Sequence, residues 1–390
     1  MKVKILSFVL VFVMLMACFV IPAMAGDAAE ETVAQSPVSL DLACKSAILM
    51  DAATGTVLYE QNADEALPPA SVTKIMTLLL VMEAIDAGAI KLTDMVSTSA
   101  NAASMGGSQI FLEEGEQMSV EDMVKSVVIS SANDAAVALA EFVVGSEEAF
   151  VERMNKRAEE LGMKNTHFEN TNGLDDTVEN HVTSARDIAL MSRELIKHET
   201  ILKYSSIWMD TIRNGAFGLT NTNRLVRFYK DATGLKTGST AKAGFCVSAT
   251  AKRDGMHLIC VVMGAETRDI RNAIATKLLD YGFANYSLYH ADGQTLDEIK
   301  VLGGVENTCG ISYGGFDCVM PKGTGKRVTF SVEFDGTLVA PVKVGTEVGK
   351  VVYRAGDEIL GEVPILTTEE IDKIDFWGLV GRILMGIFMK

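Results

Sequence analysis

The strongest constraint on this chain is the stretch Pro68-Pro69-Ala70-Ser71-Val72-Thr73-Lys74-Ile75-Met76-Thr77 and the apolar run it enters, Leu78-Leu79-Leu80-Val81-Met82-Glu83-Ala84-Ile85. Two adjacent prolines cannot continue a helix from upstream. A run this uniformly apolar predicts a helix covered by protein on most sides, and a chain containing it must build a core around it. Ser71 then stands at the helix start. Lys74 follows three residues later, one turn on, so its amine can approach the Ser71 hydroxyl. Backbone N–H groups and the positive end of the helix dipole face any oxyanion formed beside such a serine. The pair is a candidate nucleophile with its base. The same Ser-x-x-Lys spacing also arises from a cap beside a solvated lysine, so its meaning depends on what accompanies it.

A chain of 390 residues, 48% hydrophobic and 22% charged, can enclose such a helix and has room for two domains. Its net charge of −16 argues against nucleic acid as a partner. Lys2 and Lys4, the apolar run over 5–21 and Ala23-Met24-Ala25 read as a secretory signal peptide over residues 1–25, with an uncleaved transmembrane anchor as the alternative. Residues 26–38 read as a flexible leader. Cys18 leaves with the signal, and Cys44, Cys246, Cys260, Cys309 and Cys318 remain, an odd set that leaves at least one thiol free. Cys309 and Cys318 could pair locally or stay reduced. No Cys-x-x-Cys occurs, and neither a metal site nor a cofactor is expected.

Two strand-like runs, 46–50 and 56–60, flank Asp51-Ala52-Ala53-Thr54-Gly55 and predict a hairpin. Ser119-Val120-Glu121-Asp122 opens a helix that halts at Ser130-Ser131-Ala132-Asn133, and a second apolar helix begins at Asp134. That break holds Ser131 and Asn133 on a tight, buried loop. Helices are predicted over 147–161 and 184–198, with a shorter one near Ile201. The segment Gly234-Leu235-Lys236-Thr237-Gly238-Ser239-Thr240 and the runs 244–251 and 256–264 read as antiparallel strands, closed by an amphipathic helix over 267–286. Hairpin, helices, strands, helix is an α+β order, with the hairpin joining the later strands in one sheet. From about His290 short alternating runs predict a small all-β domain ending near Leu366. Thr367-Thr368-Glu369-Glu370 then reads as the cap of a helix from about Ile371 to Lys390. Its Phe, Trp and Ile stripe suits a membrane interface, or docking on its own domain or on a second copy.

Ser71-Val72-Thr73-Lys74, Ser131-Ala132-Asn133 and Lys236-Thr237-Gly238 stand in this order on a helix start, an inter-helix loop and a strand. Together they match the motif set of penicillin-binding proteins and class A β-lactamases. Over essentially the whole mature chain the sequence resembles the low-molecular-weight penicillin-binding proteins, the serine-type D-alanyl-D-alanine carboxypeptidases of peptidase family S11. The β domain and terminal helix belong to that resemblance and set the chain apart from β-lactamases. The expected layout is an antiparallel sheet with a helical subdomain over 39–288, a small β domain over 289–366 and an amphipathic anchor helix over 367–390.

The resemblance implies that Ser71 attacks the carbonyl of the penultimate D-alanine of a peptidoglycan stem pentapeptide, and that β-lactams acylate the same hydroxyl. Lys74 would be the base, Ser131 a proton relay between Lys74 and the leaving amine, and Asn133 a guide for the acyl side. Lys236 and Thr237 would bind the terminal carboxylate, with Gly238 allowing close approach. The oxyanion hole would be the N–H groups of Ser71 and Ser239. The enzyme would act in cell-wall biosynthesis and cell shape, on the outer face of a bacterial cytoplasmic membrane, held there by its last helix. Departures are Ser239, where some relatives carry histidine, and Thr220-Asn221-Thr222-Asn223-Arg224, which lacks the arginine that certain relatives place two residues after a leading asparagine pair. No Glu-x-x-Leu-Asn segment lies between the second and third motifs, so deacylation of β-lactams should be slow. An endopeptidase, a β-lactamase and a non-catalytic wall-binding protein are the rival readings. His181, just before a helix, reads as a satisfied loop residue and not a catalyst.

Overall fold

The computed structural model describes residues 40–334 and 336–388, so the signal and leader readings lie outside the described residues. A hairpin of β1 (Ser46–Asp51) and β2 (Val57–Gln61) joins β7 (Ala232–Thr240), β8 (Gly244–Arg253) and β9 (Met256–Ala265) in an antiparallel sheet of order β2-β1-β9-β8-β7. Both faces are covered, which explains why its central strands are nearly continuous hydrophobic runs. Ile48, Met50, Ile259, Val261 and Met263 alternate toward the helical core, while Leu49 and Leu258 meet Gly282 on the helix behind the sheet.

The helical core is built around α1 (Lys74–Asp86), in which ten of thirteen residues are buried. Burying it on all sides removes the need for an amphipathic stripe and accounts for the unbroken apolar run. Around it stand α2 (Val120–Ile129), α3 (Asn133–Val144), α4 (Glu147–Glu160), α5 (Ala185–Leu195) and α6 (Glu199–Ser205). Serine hydroxyls cap three of these helices: Ser119, Ser146 and Ser184 each accept the N–H of the residue three places on. Two short antiparallel pairs lie outside the main sheet, β3 (Met95–Ser97) with β4 (Gln117–Ser119) and β5 (Met209–Ile212) with β6 (Phe217–Thr220). The helix behind the sheet is α7 (Arg268–Asn285), capped by Thr267.

Beyond it, β10 (Tyr286–Ala291) pairs with β13 (Phe316–Pro321). A six-stranded sheet forms from β11 (Gln294–Leu302), β12 (Thr308–Tyr313), β14 (Val328–Phe334), β15 (Thr337–Val339), β16 (Glu347–Ala355) and β17 (Glu358–Thr367). Its core gathers Ile299, Ile311, Tyr313, Val351, Tyr353 and Ile365, with the Phe316 ring stacked on Tyr353 at 4.2 Å. The five cysteines Cys44, Cys246, Cys260, Cys309 and Cys318 are all free thiols, so the local Cys309–Cys318 pair does not form.

The last helix, α8, runs over Phe376–Phe388 and does not begin at Ile371. Thr367 ends β17, and Ile371 and Lys373 bridge Val342 and Gly304, with Ile371 buried. Sheet pairing takes the segment that looks like a cap.

Candidate active site

Ser71 lies on a 3₁₀ turn, Ala70–Thr73, that feeds α1, a tighter entry than the sequence predicts. Ala70 has φ 50°, a left-handed backbone that costs an alanine of order 1 kcal/mol and persists only where its surroundings impose it. Thr73 Oγ1 donates to Ala70 O at 2.8 Å and accepts from His181 Nε2 at 2.8 Å, while His181 Nδ1 accepts the Glu169 N–H at 3.0 Å. Burial pulls the imidazole down to about 4, the neutral form that this donor and acceptor pattern requires. His181 is thus a satisfied structural residue, and it holds the turn that carries Ser71. Gly173 packs on the other side: a Cβ there would lie 1.9 Å from Ala70 O.

Lys74 is fully buried, and its Nζ lies 2.9 Å from Ser71 Oγ, 2.6 Å from Asn133 Oδ1 and 2.7 Å from Asn172 O. Two of these partners can only accept, and the third is a hydroxyl. A neutral amine donates to the two carbonyls and accepts from Ser71; an ammonium donates to all three. Either charge state is satisfied without moving a heavy atom. Burial first and the Lys236 charge second hold the amine well below the ordinary 10.5, with Asp134 opposing.

Ser131 sits between α2 and α3 at φ 65°, and its Oγ accepts from Lys236 Nζ at 2.8 Å. Lys236, on β7, also donates to Thr237 O at 2.9 Å, and burial with the nearby Arg271 charge lowers it to about 7. Ser131 is therefore joined to Lys236, and no hydrogen bond links it to Lys74. Asn133 Oδ1 takes Lys74 and its Nδ2 donates to Gly106 O at 2.7 Å, so the side chain positions the Lys74 amine. Thr237 Oγ1 donates to Thr222 Oγ1 at 2.8 Å. Gly238 lies directly against the turn that carries Ser71. A Cβ there would stand 2.8 Å from Pro69 O and Ser71 N, which brings the Gly238-Ser239 backbone beside the Ser71 amide.

These residues open on a cavity of about 640 Å³ lined by Ser71, Ser131, Thr237, Gly238 and Ser239 and by Arg224, Arg268 and Arg271. Asn172 and the three arginines had no role in the sequence reading. Asn172 acts through its carbonyl, which any residue possesses, and the arginines converge only when the segment at Arg224 and the first turn of α7 meet at one cavity. Asp134 organises the wall, accepting the N–H groups of Ile110 at 3.0 Å and Leu112 at 3.1 Å. No cluster able to hold a metal occurs among the described residues.

Comparisons with known proteins converge on one family. Residues 30–267 match the family model for D-alanyl-D-alanine carboxypeptidase, peptidase S11, and residues 283–373 match that for the C-terminal domain of penicillin-binding protein 5. The chain is similar to D-alanyl-D-alanine carboxypeptidase DacF of Bacillus subtilis, 44% identical over 353 residues, covering 89% of this chain and 90% of that one. Among solved structures it is similar to penicillin-binding protein 5 of Haemophilus influenzae, with a TM-score of 0.76, 32% identity and coverage of 87% of this chain and 100% of the other. Ampicillin-bound penicillin-binding protein D2 of Listeria monocytogenes matches 63% of this chain and 100% of its own at 33% identity and a TM-score of 0.58.

Proposed function

The chain belongs to the peptidase S11 family of D-alanyl-D-alanine carboxypeptidases, and from that premise we propose Ser71 as its nucleophile, Lys74 as the base, and Lys236 with Thr237 as the seat of the substrate carboxylate. The protein is a serine-type D-Ala-D-Ala carboxypeptidase and a penicillin-binding protein acting on peptidoglycan. The observation that carries the residue assignment is the 2.9 Å approach of Lys74 Nζ to Ser71 Oγ by an amine whose other two partners are carbonyl oxygens.

With Lys74 neutral, the Ser71 proton passes to Nζ as Oγ attacks the penultimate carbonyl. The oxyanion forms against the N–H groups of Ser71 and Ser239. The amide bond breaks, the leaving amine takes a proton, and Ser131 stands between Lys236 and the cavity to help deliver it. Water then hydrolyses the ester, with Lys74 again the nearest base. A carboxylate arriving at Lys236 favours its charged form, and that charge in turn keeps Lys74 neutral. Substrate binding thereby readies the base. Among the described residues that line the cavity there is no Asp or Glu to activate water from the opposite face, which supports slow release of β-lactam acyl groups.

D-alanine release from a peptide ending in D-Ala-D-Ala, measured beside Ser71→Ala, tests the assignment. The parent should release D-alanine and the variant none; release by both would sink Ser71 as nucleophile.

We assign 39–288 as the catalytic unit and 289–366 as the β domain, with export directed by residues 1–25. Exposed Phe376, Trp377, Ile383 and Ile387 support α8 as an interfacial anchor, and no helix among the described residues is long and apolar enough to cross a membrane. Sedimentation with anionic vesicles, lost on removing 376–390, is the expected result; undiminished sedimentation would refute the anchor.

A further inference from the structure

An acidic protein here carries a cationic cavity. The chain has 51 acidic and 35 basic residues, yet Arg224, Arg268 and Arg271 line the space before Ser71 with no carboxylate among them. Arg268 and Arg271 lie three residues apart in the first turn of α7, on one side of it, and Arg224 immediately precedes the short helical turn Leu225–Phe228. Their charges act on one another: after burial, those of Arg268 and Arg224 help pull Arg271 down to about 10, with Cys246 and Asp269 opposing.

The three are not equivalent. Arg271 is buried and tied to Asn272 Oδ1 at 2.9 Å and Cys246 O at 3.3 Å. The Arg224 and Arg268 guanidiniums are exposed and have no hydrogen-bond or ion-pair partner among the described residues. Two exposed guanidiniums at one cavity, with no hydrogen-bonded carboxylate on either, attract an anion. Lys236 and Thr237 already serve the terminal carboxylate. From Ser71 the cations run outward through Lys236 to Arg271, whose charge acts on Lys236, and then to Arg268 and Arg224. That direction leads past the last residue of the substrate.

We propose that Arg224 and Arg268 form a second anion subsite on the leaving-group side of the cavity, which takes a carboxylate on the side chain of the departing D-residue. The substrate class extends to stem peptides ending in an acidic D-amino acid, such as D-Ala-D-Glu. A D-alanine methyl leaves both arginines unused. The chemistry is unchanged: the Ser71 ester forms, the amide bond breaks, the departing amine carries off the proton, and water hydrolyses the ester. The inference rests on the carboxypeptidase reading above.

Two synthetic peptides differing only in their last residue, D-Ala or D-Glu, test it on the full chain, on Arg224→Gln, on Arg268→Gln and on the double variant. Covalent labelling by penicillin reports that each is folded. In the parent both residues should be released. In the double variant the ratio of kcat/KM for the D-Glu peptide to that for the D-Ala peptide should fall about tenfold, the scale of two partly exposed ion pairs, and raised salt should lower it in the parent. An unchanged ratio in the variants, or release of D-Ala without D-Glu by the parent, overturns the subsite. Release of neither residue by labelled parent refutes the carboxypeptidase reading and the subsite with it.

Discussion

Lys236 should make the fold less stable at neutral pH than it is in mild alkali, and Lys236→Met should remove much of that dependence. The folded amine is lowered from 10.5 to about 7, while the unfolded chain keeps the ordinary value. Between these limits the unfolded state holds a proton that the folded state lacks, so stability rises with pH across the window and is flat below it. At about 1.4 kcal/mol per pH unit the full window spans about 5 kcal/mol. Because the amine is half-protonated near pH 7, the gain from pH 7 to 9 is about 2 kcal/mol. Lys74 acts in the same sense, and losing the Lys236 charge lets its own value rise, which flattens the curve further. The thiols of Cys44 and Cys246, pushed up to about 11 by burial, act oppositely as their unfolded counterparts ionise around 9.0, and Cys260 does the same; parent and variant share this loss, so the difference between their two gains is the quantity to read. Urea unfolding at pH 7, 8 and 9 reads the slope directly. Methionine should abolish carboxypeptidase activity and reduce the gain by about 2 kcal/mol or more. A gain within about 0.5 kcal/mol of the parent's would refute the view that Lys236 is held partly deprotonated.

Two other substitutions probe the same machinery. Asn133→Ala removes an acceptor from Lys74 and the link to Gly106 O; acylation by a fluorescent penicillin should slow more than tenfold, with a stability loss of about 1–3 kcal/mol by chemical denaturation. Gly238→Ala sets a methyl 2.8 Å from Pro69 O and Ser71 N, both backbone atoms that cannot step aside cheaply; penicillin labelling of Ser71 should slow by about a hundredfold, and an unchanged rate would show that the strand does not press on the nucleophile turn.

The proposed constellation was legible because its members are side chains at helical and strand spacings. Ser71 and Lys74 share a face one turn apart, and the break at Ser130 marks where Ser131 and Asn133 had to be held. The partners they would choose were not legible. Asn133 reaches Lys74 across 59 residues of sequence and Lys236 reaches Ser131 across 105, so only the packed core decides that one lysine takes the asparagine and the other the serine. The main sheet followed from hairpin and strand patterns. The β5–β6 hairpin passed unnoticed because its strands are four residues each, too short for a period to declare itself. Thr367-Thr368-Glu369-Glu370 has the composition of a cap, and only partners remote in sequence hold it and the residues after it in sheet pairing: Ile311 opposes Thr367, Thr368 N–H donates to Gly310 O, and Val342 and Gly304 bridge Ile371 and Lys373.

The carboxylate of Asp134, gathering the amides of Ile110 and Leu112 onto the first turn of α3, bears on the thermodynamics of capture. A loop tethered to a buried helix has surrendered its conformational entropy during folding, before any substrate arrives. Acylating ligands therefore meet a groove whose shape is preset, and little of their interaction energy goes into ordering the wall. The heat-capacity change on binding should then track the apolar surface covered by the ligand alone, with no contribution from a wall that folds around it.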